Sequence, residues 1–544
     1  MSILADCIVV NSRIWRGSGG ADGATAIAIH DERIVQIGSD ADVLTLRGPG
    51  TTVIDAGGRR VIPGLIDSHI HMVRAGLTWN QNVDWSGMRS IAEGLDAIRA
   101  KVDATPPGTW VCVVGGWGPG QFTERRMPTI EEIRSISDDH PIFVQYLYES
   151  AVVNAAGLAA IGITAETPDP ARGWFERDDS GAPTGFCRGV GAFMACIGAA
   201  GRPDFETQIE WTAAIMARFN RLGITGVVDP GGMGMSPEAY RPLFELWRRG
   251  GMTVRTRLYL MPQGAGLERE QIAANIKHLH PGFGDTWLRL TGAGEMVSYG
   301  FFDLEGVQPF EVTDEGADLL RELLEDLLRA GWSIHLHAVL RATITRMLDV
   351  IEDVLSRISI DPDRVRISLA HIEPITDQDL DRMARLGIGA GIQDRMLFRA
   401  KDSAEFWGED VLRRSPPLRG FLDRGIPVGG GTDATAVSPY NPWQSIWWLV
   451  TGRTLDDGPP RDERWNLTRE EALSAYTEGS AWLSLDEKER GRLDVGLLGD
   501  LVILSEDYFE VDEDAIAGIE ADATVVGGRL VHAVSAVTVE TPSA

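Results

Sequence analysis

The sequence predicts an α/β fold: a (β/α)8, TIM-like barrel with a small β-sandwich domain built from both termini and an insert between barrel strands 1 and 2. Three observations carry this reading. Short apolar runs alternate with amphipathic helical stretches through the middle of the chain, the signature of a parallel sheet with helical crossovers. Both ends show period-two apolar patterns broken by Gly and Asp, with no helical period. The middle holds eight candidate strands, the number that closes a barrel. Size allows this, since 544 residues at roughly 150 per domain correspond to about three or four folded units.

In chain order, residues 1–60 read as strands in CIVVNSRIW, ATAIAIHDERIVQIG and TTVIDAGGRRVI. The end of the chain has the same texture in GLLGDLVILSED and ATVVGGRLVHAV. Residues 1–60 plus 490–544 are therefore expected to form one composite sandwich, with two separate β-appendages as the alternative. Barrel strands are expected at 60–71, 223–230, 253–260, 287–292, 332–338, 365–372, 387–393 and 426–434, inside a domain spanning 61–489. Helices between them are read from ADLLRELLEDLLRAG, ATITRMLDVIEDVLSRI and DQDLDRMARLG, the first and last closing on Gly. The gap between strands 1 and 2 is far too long for one crossover, so residues 75–220 are expected to hold an inserted lid subdomain.

Composition narrows the function. Hydrophobic residues at 44% and charged residues at 24% are those of an ordinary globular protein and exclude disorder. A net charge of −28 repels phosphate backbones and anionic lipid, so neither nucleic acid nor a membrane is expected as partner, and a small-molecule substrate is. The 62 glycines are scattered and suit many tight turns between strands and loops. Four cysteines without CxxC spacing form neither a zinc knuckle nor a disulfide framework. Asp6 stands where a secretory leader needs a basic segment, and no stretch approaches about 20 apolar residues. A cytoplasmic protein is expected, with a homodimer as the base-rate assembly.

Histidine is scarce, with ten in the chain, and its placement is informative. His69 and His71 lie two apart at the end of strand 1, where the strand period points both rings to one side. His337 ends strand 5, His371 ends strand 6 and Asp433 ends strand 8. Active sites of such barrels lie at the C-terminal strand ends. Four imidazoles and a carboxylate meeting there suit a divalent transition metal with an open position for water. Each histidine alone is more readily a structural one; agreement with the ends of four strands favours the metal. His335 is read either as a donor behind a metal ligand or as a packed core residue, and His278 and His280 as surface residues.

The run VIPGLIDSHIHM resembles the amidohydrolase superfamily, and more closely its YtcJ-like (amidohydrolase-3) branch. That branch's motifs recur in order in GGW before ERRMPT, VVNAAGLAAIGIT, GWFERDDSGAPTG, GGGTDA, LSAYTEGSAWL and VVGGRLV. The resemblance implies a metal-activated water that cleaves a C–N bond of an amide, formamide or cyclic amide. It implies His69, His71, His337, His371 and Asp433 as metal ligands and Asp433 as the catalytic proton carrier. Zinc is the first expectation, with iron or manganese as alternatives, and one ion is favoured over two.

Departures from the family pattern bear on the substrate. Arg289 stands in the place of a strand-four lysine that other members carboxylate, and an arginine stays protonated and cannot be carboxylated. Glu295, just beyond, is a further candidate metal ligand. HAVLRAT lacks the acidic residue that follows the strand-five histidine in the family, and Glu149 in YESAVVN replaces a family histidine. Candidate substrate-binding residues are Trp117, Tyr148, Glu149 and Arg188 from the insert, with Arg289, Gln393 and Arg395. Arg188 or Arg395 suits a carboxylate and Trp117 an aromatic ring; ordinary packing or surface pairing is the alternative for each. The altered motifs also admit C–C bond hydrolysis, decarboxylation or lactone opening in the same barrel, or a noncatalytic binding protein.

Overall fold

The computed structural model describes residues 4–19, 23–201 and 203–541. Its central sheet has eight strands: β1 (Leu65–Asp67), β2 (Ile224–Asp229), β3 (Arg255–Leu260), β4 (Leu288–Glu295), β5 (Ser333–Ala338), β6 (Ile367–His371), β7 (Gly389–Gln393) and β8 (Val428–Gly431). Each pairs in parallel with its sequence neighbour. The ring closes through segments that prolong β1 and β8. The Ser68 N–H donates to Gly430 O at 2.9 Å, Asp433 N–H to His69 O at 2.8 Å and His71 N–H to Ala434 O at 3.0 Å. Every residue of β2 and β5 is buried, as a parallel sheet covered on both faces requires. The fold is the barrel that the eight apolar runs predict.

Local sequence sets the outer helices. Thr313 caps Asp314–Arg329 by accepting from Gly316 N, and Leu320, Leu323, Leu324 and Leu327 form its buried stripe. Asp377–Leu386 ends on Gly387, whose φ of 68° is the left-handed conformation glycine adopts freely.

Two further five-stranded sheets each combine strands from both ends of the chain. One runs Thr538–Glu540, Thr52–Asp55, Cys7–Val10, Ala26–His30, Arg33–Gly38; the other runs Arg13–Ile14, Arg60–Pro63, Leu501–Leu504, Ala521–Val526, Arg529–Ala533. Val9, Ile27, Ile29 and Ile54 of the first share one apolar cluster with Val61, Leu501, Ile503 and Val525 of the second.

Between β1 and β2 lies a fourth sheet, ordered Trp174–Arg177, Pro183–Arg188, Ser150–Val153, Ile142–Tyr146, Val111–Val113. Its side chains alternate between two cores. Cys112, Phe143, Ala151 and Val153 enter one, and Val111, Val113, Ile142, Val144 and Val152 the other. The hairpin joining Ile142–Tyr146 to Ser150–Val153 pairs Tyr146 with Ser150, leaving residues 147–149 as its tip.

At the other end of the barrel, the N-terminal halves of β3 and β4 carry Arg257 and Arg289. Arg257 Nε lies 2.8 Å from Asp486 Oδ2, Arg289 Nη1 3.1 Å from Oδ1 and Arg490 Nη2 2.7 Å from Oδ2. All four cysteines are buried free thiols. Among the described residues, no helix is long and apolar enough to cross a membrane.

Candidate metal centre

The C-terminal ends of β1, β4, β5, β6 and β8 bring His69, His71, Glu295, His335, His337, His371 and Asp433 together. His71 Nε2 lies 3.1 Å from Asp433 Oδ1, and His69 Nε2 lies 3.5 Å from the same oxygen. Glu295 ends β4 and faces four rings, with Oε1 2.9 Å from His337 Nδ1, 3.6 Å from His371 Nε2 and 3.9 Å from His69 Nε2, and Oε2 3.7 Å from His71 Nε2. Two donor sets with metal-holding spacing result, His69–His71–Asp433 and His69–Glu295–His371. They share His69.

The residues present fit a divalent ion. His69 Nε2 and both ring nitrogens of His371 are buried without a hydrogen-bond partner among the described residues. Such orphaned nitrogens cost free energy unless something binds them. Tautomers are set from behind. His71 Nδ1 lies 2.6 Å from Gly231 O, and because a carbonyl only accepts, that nitrogen carries the proton and Nε2 keeps its lone pair. His69 Nδ1 lies 2.8 Å from His335 Nε2, and His335 Nδ1 lies 2.7 Å from Ser368 Oγ. Burial holds the His335 pKa well below the usual histidine range. A neutral His335 accepts from His69 and donates to Ser368, which leaves His69 Nε2 free to ligate.

Backbone and charge suit the same task. His371 (φ 72°) and Asp433 (φ 55°) both hold left-handed backbone, which costs a non-glycine residue on the order of 1 kcal/mol and concentrates at functional sites. Asp67 ties the ends of β1 and β8 together, accepting from His69 N, Thr432 N and Thr432 Oγ1; burial pushes its carboxyl up to about 6. Burial also works to raise Asp433 and Glu295. When protonated, the His69 and His71 rings outweigh it for Asp433, and His337 and His371 do for Glu295, so both carboxyls are then held well below their usual range.

His337 differs from the other three histidines. Its Nδ1 meets Glu295, while its Nε2 lies 3.0 Å from both Asp303 Oδ1 and Leu304 O. Burial lowers its pKa, but the carboxylates of Asp303 and Glu295 outweigh that and raise it to about 10. Neither donor set includes it. Asp303 also accepts from Val339 N and Leu340 N at 3.0 and 2.7 Å. It supplies, from the loop after β4, the acidic group that the HAVLRAT motif lacks.

The expected substrate residues scatter. Tyr148, at the tip of the insert hairpin, borders the metal-donor cleft that His71, Glu295, His337 and Asp433 also line. Glu149 and Arg188 line an outer cavity of about 540 Å³ that shares Tyr148, Leu304 and Glu305 with the cleft; Arg188 stacks on Trp174 at 5.4 Å. The other four lie elsewhere. Trp117 is fully buried against Trp85, Phe122 and Tyr146, with its indole N–H donating to Gln145 O, so it packs the insert and walls no substrate. Arg289 sits at the base of β4 on Asp486, because the strand runs on to Glu295 and the motif match sets it at the wrong end. Gln393 is buried behind β6, where Oε1 accepts from His371 N at 2.9 Å. Arg395 is buried and saturated by Glu373 and Glu305, which leaves its fork unavailable to a ligand. His278 ends the helix Glu268–His278, and both it and His280 are exposed.

The pattern of strand ends misses Arg74. It lies one turn past His71 on the helix Met72–Gly76, and its Nη2 donates to Tyr148 Oη at 2.6 Å. Both residues also border a second cavity of about 320 Å³. A single arginine three residues after an HxH pair was the available signal.

Comparison with known proteins agrees with this geometry. Residues 52–532 match the model of the Amidohydrolase family. The chain is 25% identical to the N-substituted formamide deformylase of Arthrobacter pascens, covering 97% of this chain and 99% of that protein. It is also 25% identical to YtcJ of Bacillus subtilis over 95% of this chain and 99% of the relative. A metal-dependent hydrolase from Pyrococcus horikoshii shares the fold, with a TM-score of 0.69 at 20% identity, covering 93% of this chain and 99% of that one.

Proposed function

The chain belongs to the amidohydrolase family, and on that premise we propose that it is a metal-dependent hydrolase that cleaves a C–N bond of a small organic molecule, an amide, formamide or cyclic amide. The observation that carries the reading is the pair of donor sets around His69 with unsatisfied, buried imidazole nitrogens. His69, His71 and Asp433 would hold one divalent ion, and Glu295 with His371 and His69 would offer a second position. Zinc is the first choice for such a nitrogen and oxygen donor set. A divalent ion held there supplies Lewis acidity and lowers the pKa of water.

The chain's own groups do the rest. Asp433, ionised because two imidazoles face it, takes a proton from the attacking water and returns it to the leaving nitrogen. Tyr148 Oη, oriented by the Arg74 guanidinium, donates to the carbonyl oxygen as charge builds on it. The insert hairpin that carries Tyr148 covers the mouth and limits bulk water.

Metal analysis of the purified protein, joined to a panel of amides and formamides, tests this. Stoichiometric metal and chelator-sensitive turnover are expected. Asp433→Asn should retain most of the metal while kcat falls at least about 100-fold. Absence of stoichiometric metal, with activity unaffected by chelation or by His69→Ala, refutes the reading.

A further inference from the structure

We propose that Arg74 selects the substrate by its carboxylate, so that the amide cleaved here is an amido acid with an apolar arm. The inference rests on the C–N hydrolase reading and names its substrate class. The reaction balances as water plus amide giving a carboxylic acid and an amine, with the substrate's own carboxylate unchanged throughout.

Three features of the cleft support it. First, Arg74 stands where recognition has to happen. It borders both the metal-donor cleft and the adjoining cavity of about 320 Å³, and Tyr148 and Met233 border both with it. Second, no carboxylate pairs with it directly, and Asp433 and Glu295 act on it only at longer range. Among the described residues no carboxylate lies within 4.0 Å of its guanidinium nitrogens, and its hydrogen-bond partner is the neutral Tyr148 hydroxyl. A guanidinium has five N–H donors in a planar fork that matches a carboxylate, so one bond to a phenol leaves most of its capacity open. Nearby arginines differ: Arg395 is closed by Glu373 and Glu305, and Arg399 lies within reach of Glu149 and Asp402. The position that Arg188 or Arg395 is expected to fill from sequence thus falls to Arg74.

Third, the space beside it is apolar. Leu77, Val114, Phe193, Met194 and Ile197 line the cavity of about 320 Å³, which is a poor place to leave an unpaired cation unless a ligand brings the counter-charge. A substrate with its scissile bond at the His/Asp/Glu cluster can therefore lay its carboxylate on Arg74 and its arm along Phe193 and Ile197.

Equilibrium binding separates this from the hydrolase reading. Calorimetry on metal-loaded protein would compare 3-phenylpropanoate with 4-phenylbutan-2-one, its neutral methyl-ketone counterpart without a C–N bond to cleave, against the wild type, Arg74→Met and Arg74→Lys, with metal content and circular dichroism measured for each. The wild type is expected to bind the acid roughly 10- to 100-fold more tightly than the ketone. Arg74→Met should abolish that preference while changing ketone affinity less than about threefold, and Arg74→Lys should restore part of it. Equal affinities in the wild type, including no binding of either probe, overturn the inference. So does an Arg74→Met protein that holds the acid as tightly as the wild type, since the metal site alone would then bind the anion. Because binding needs no turnover, an amide panel that is never cleaved sinks the C–N reading and leaves the acid preference to be read directly.

Discussion

Asp486→Asn isolates the base of the barrel from its chemistry. Asp486 is fully buried and lies within 3.1 Å of three guanidiniums, those of Arg257, Arg289 and Arg490. Arg257 and Arg490 are buried as well, and Arg289 is about one quarter exposed. Burial alone would raise the Asp486 carboxyl, but the three positive charges outweigh it and hold it well below the carboxylate range. Removing the one negative charge leaves three cations facing each other in a low-dielectric pocket. Loss of one partner from a buried ion pair costs about 3–5 kcal/mol, and the variant should lose that much in urea denaturation followed by tryptophan fluorescence. The sign of the pH dependence follows from the depressed pKa. The carboxylate's contribution is complete above its ordinary pKa near 4 and is lost as pH falls through its lower folded value. The gap between wild type and variant should therefore be constant from pH 8 to 5 and close only on stronger acidification. Metal content and KM should not move, because the histidines sit at the opposite strand ends. A loss under about 1 kcal/mol, or a gap that shrinks as pH rises from 5 to 8, would refute the argument.

Two further outcomes concern the mouth. Glu295→Gln removes the carboxylate that faces four imidazoles, so bound metal per chain should fall by elemental analysis; an unchanged count removes Glu295 from the ligand set. His335→Phe keeps the ring volume but deletes the acceptor behind His69 Nδ1, and metal affinity should weaken roughly 10- to 100-fold in competition with a chelator. Unchanged affinity there would mean that His335 only packs.

Much of the fold was legible because it is written locally. Each barrel strand is a short apolar run between turn residues, and His69, His71, His337, His371 and Asp433 lie at or close to the ends of β1, β5, β6 and β8, so counting strands located the side chains that cluster at the mouth. Glu295 was visible only as a neighbour of the matched motif. The boundary of β4 decided between it and Arg289, since an apolar run does not announce which end of a strand faces the mouth. Trp117 and Arg395 show the opposite failure. Both residue types suit ligand contacts, yet one fills a core and the other closes on Glu373 and Glu305, and neither fate leaves a trace in the spacing.

The amino-acid sequence by itself determined the barrel, the two-ended sheets and the His/Asp set, because periodicity and strand ends are properties of a few consecutive residues. Only the tertiary structure decided that Asp303 answers His337, that His335 stands behind His69, and that, among the described residues, no carboxylate pairs directly with Arg74 beside an apolar cavity. Those facts depend on which side chains from distant segments converge, and electrostatics and hydrogen bonding act through that distance in space, with no regard to separation along the chain.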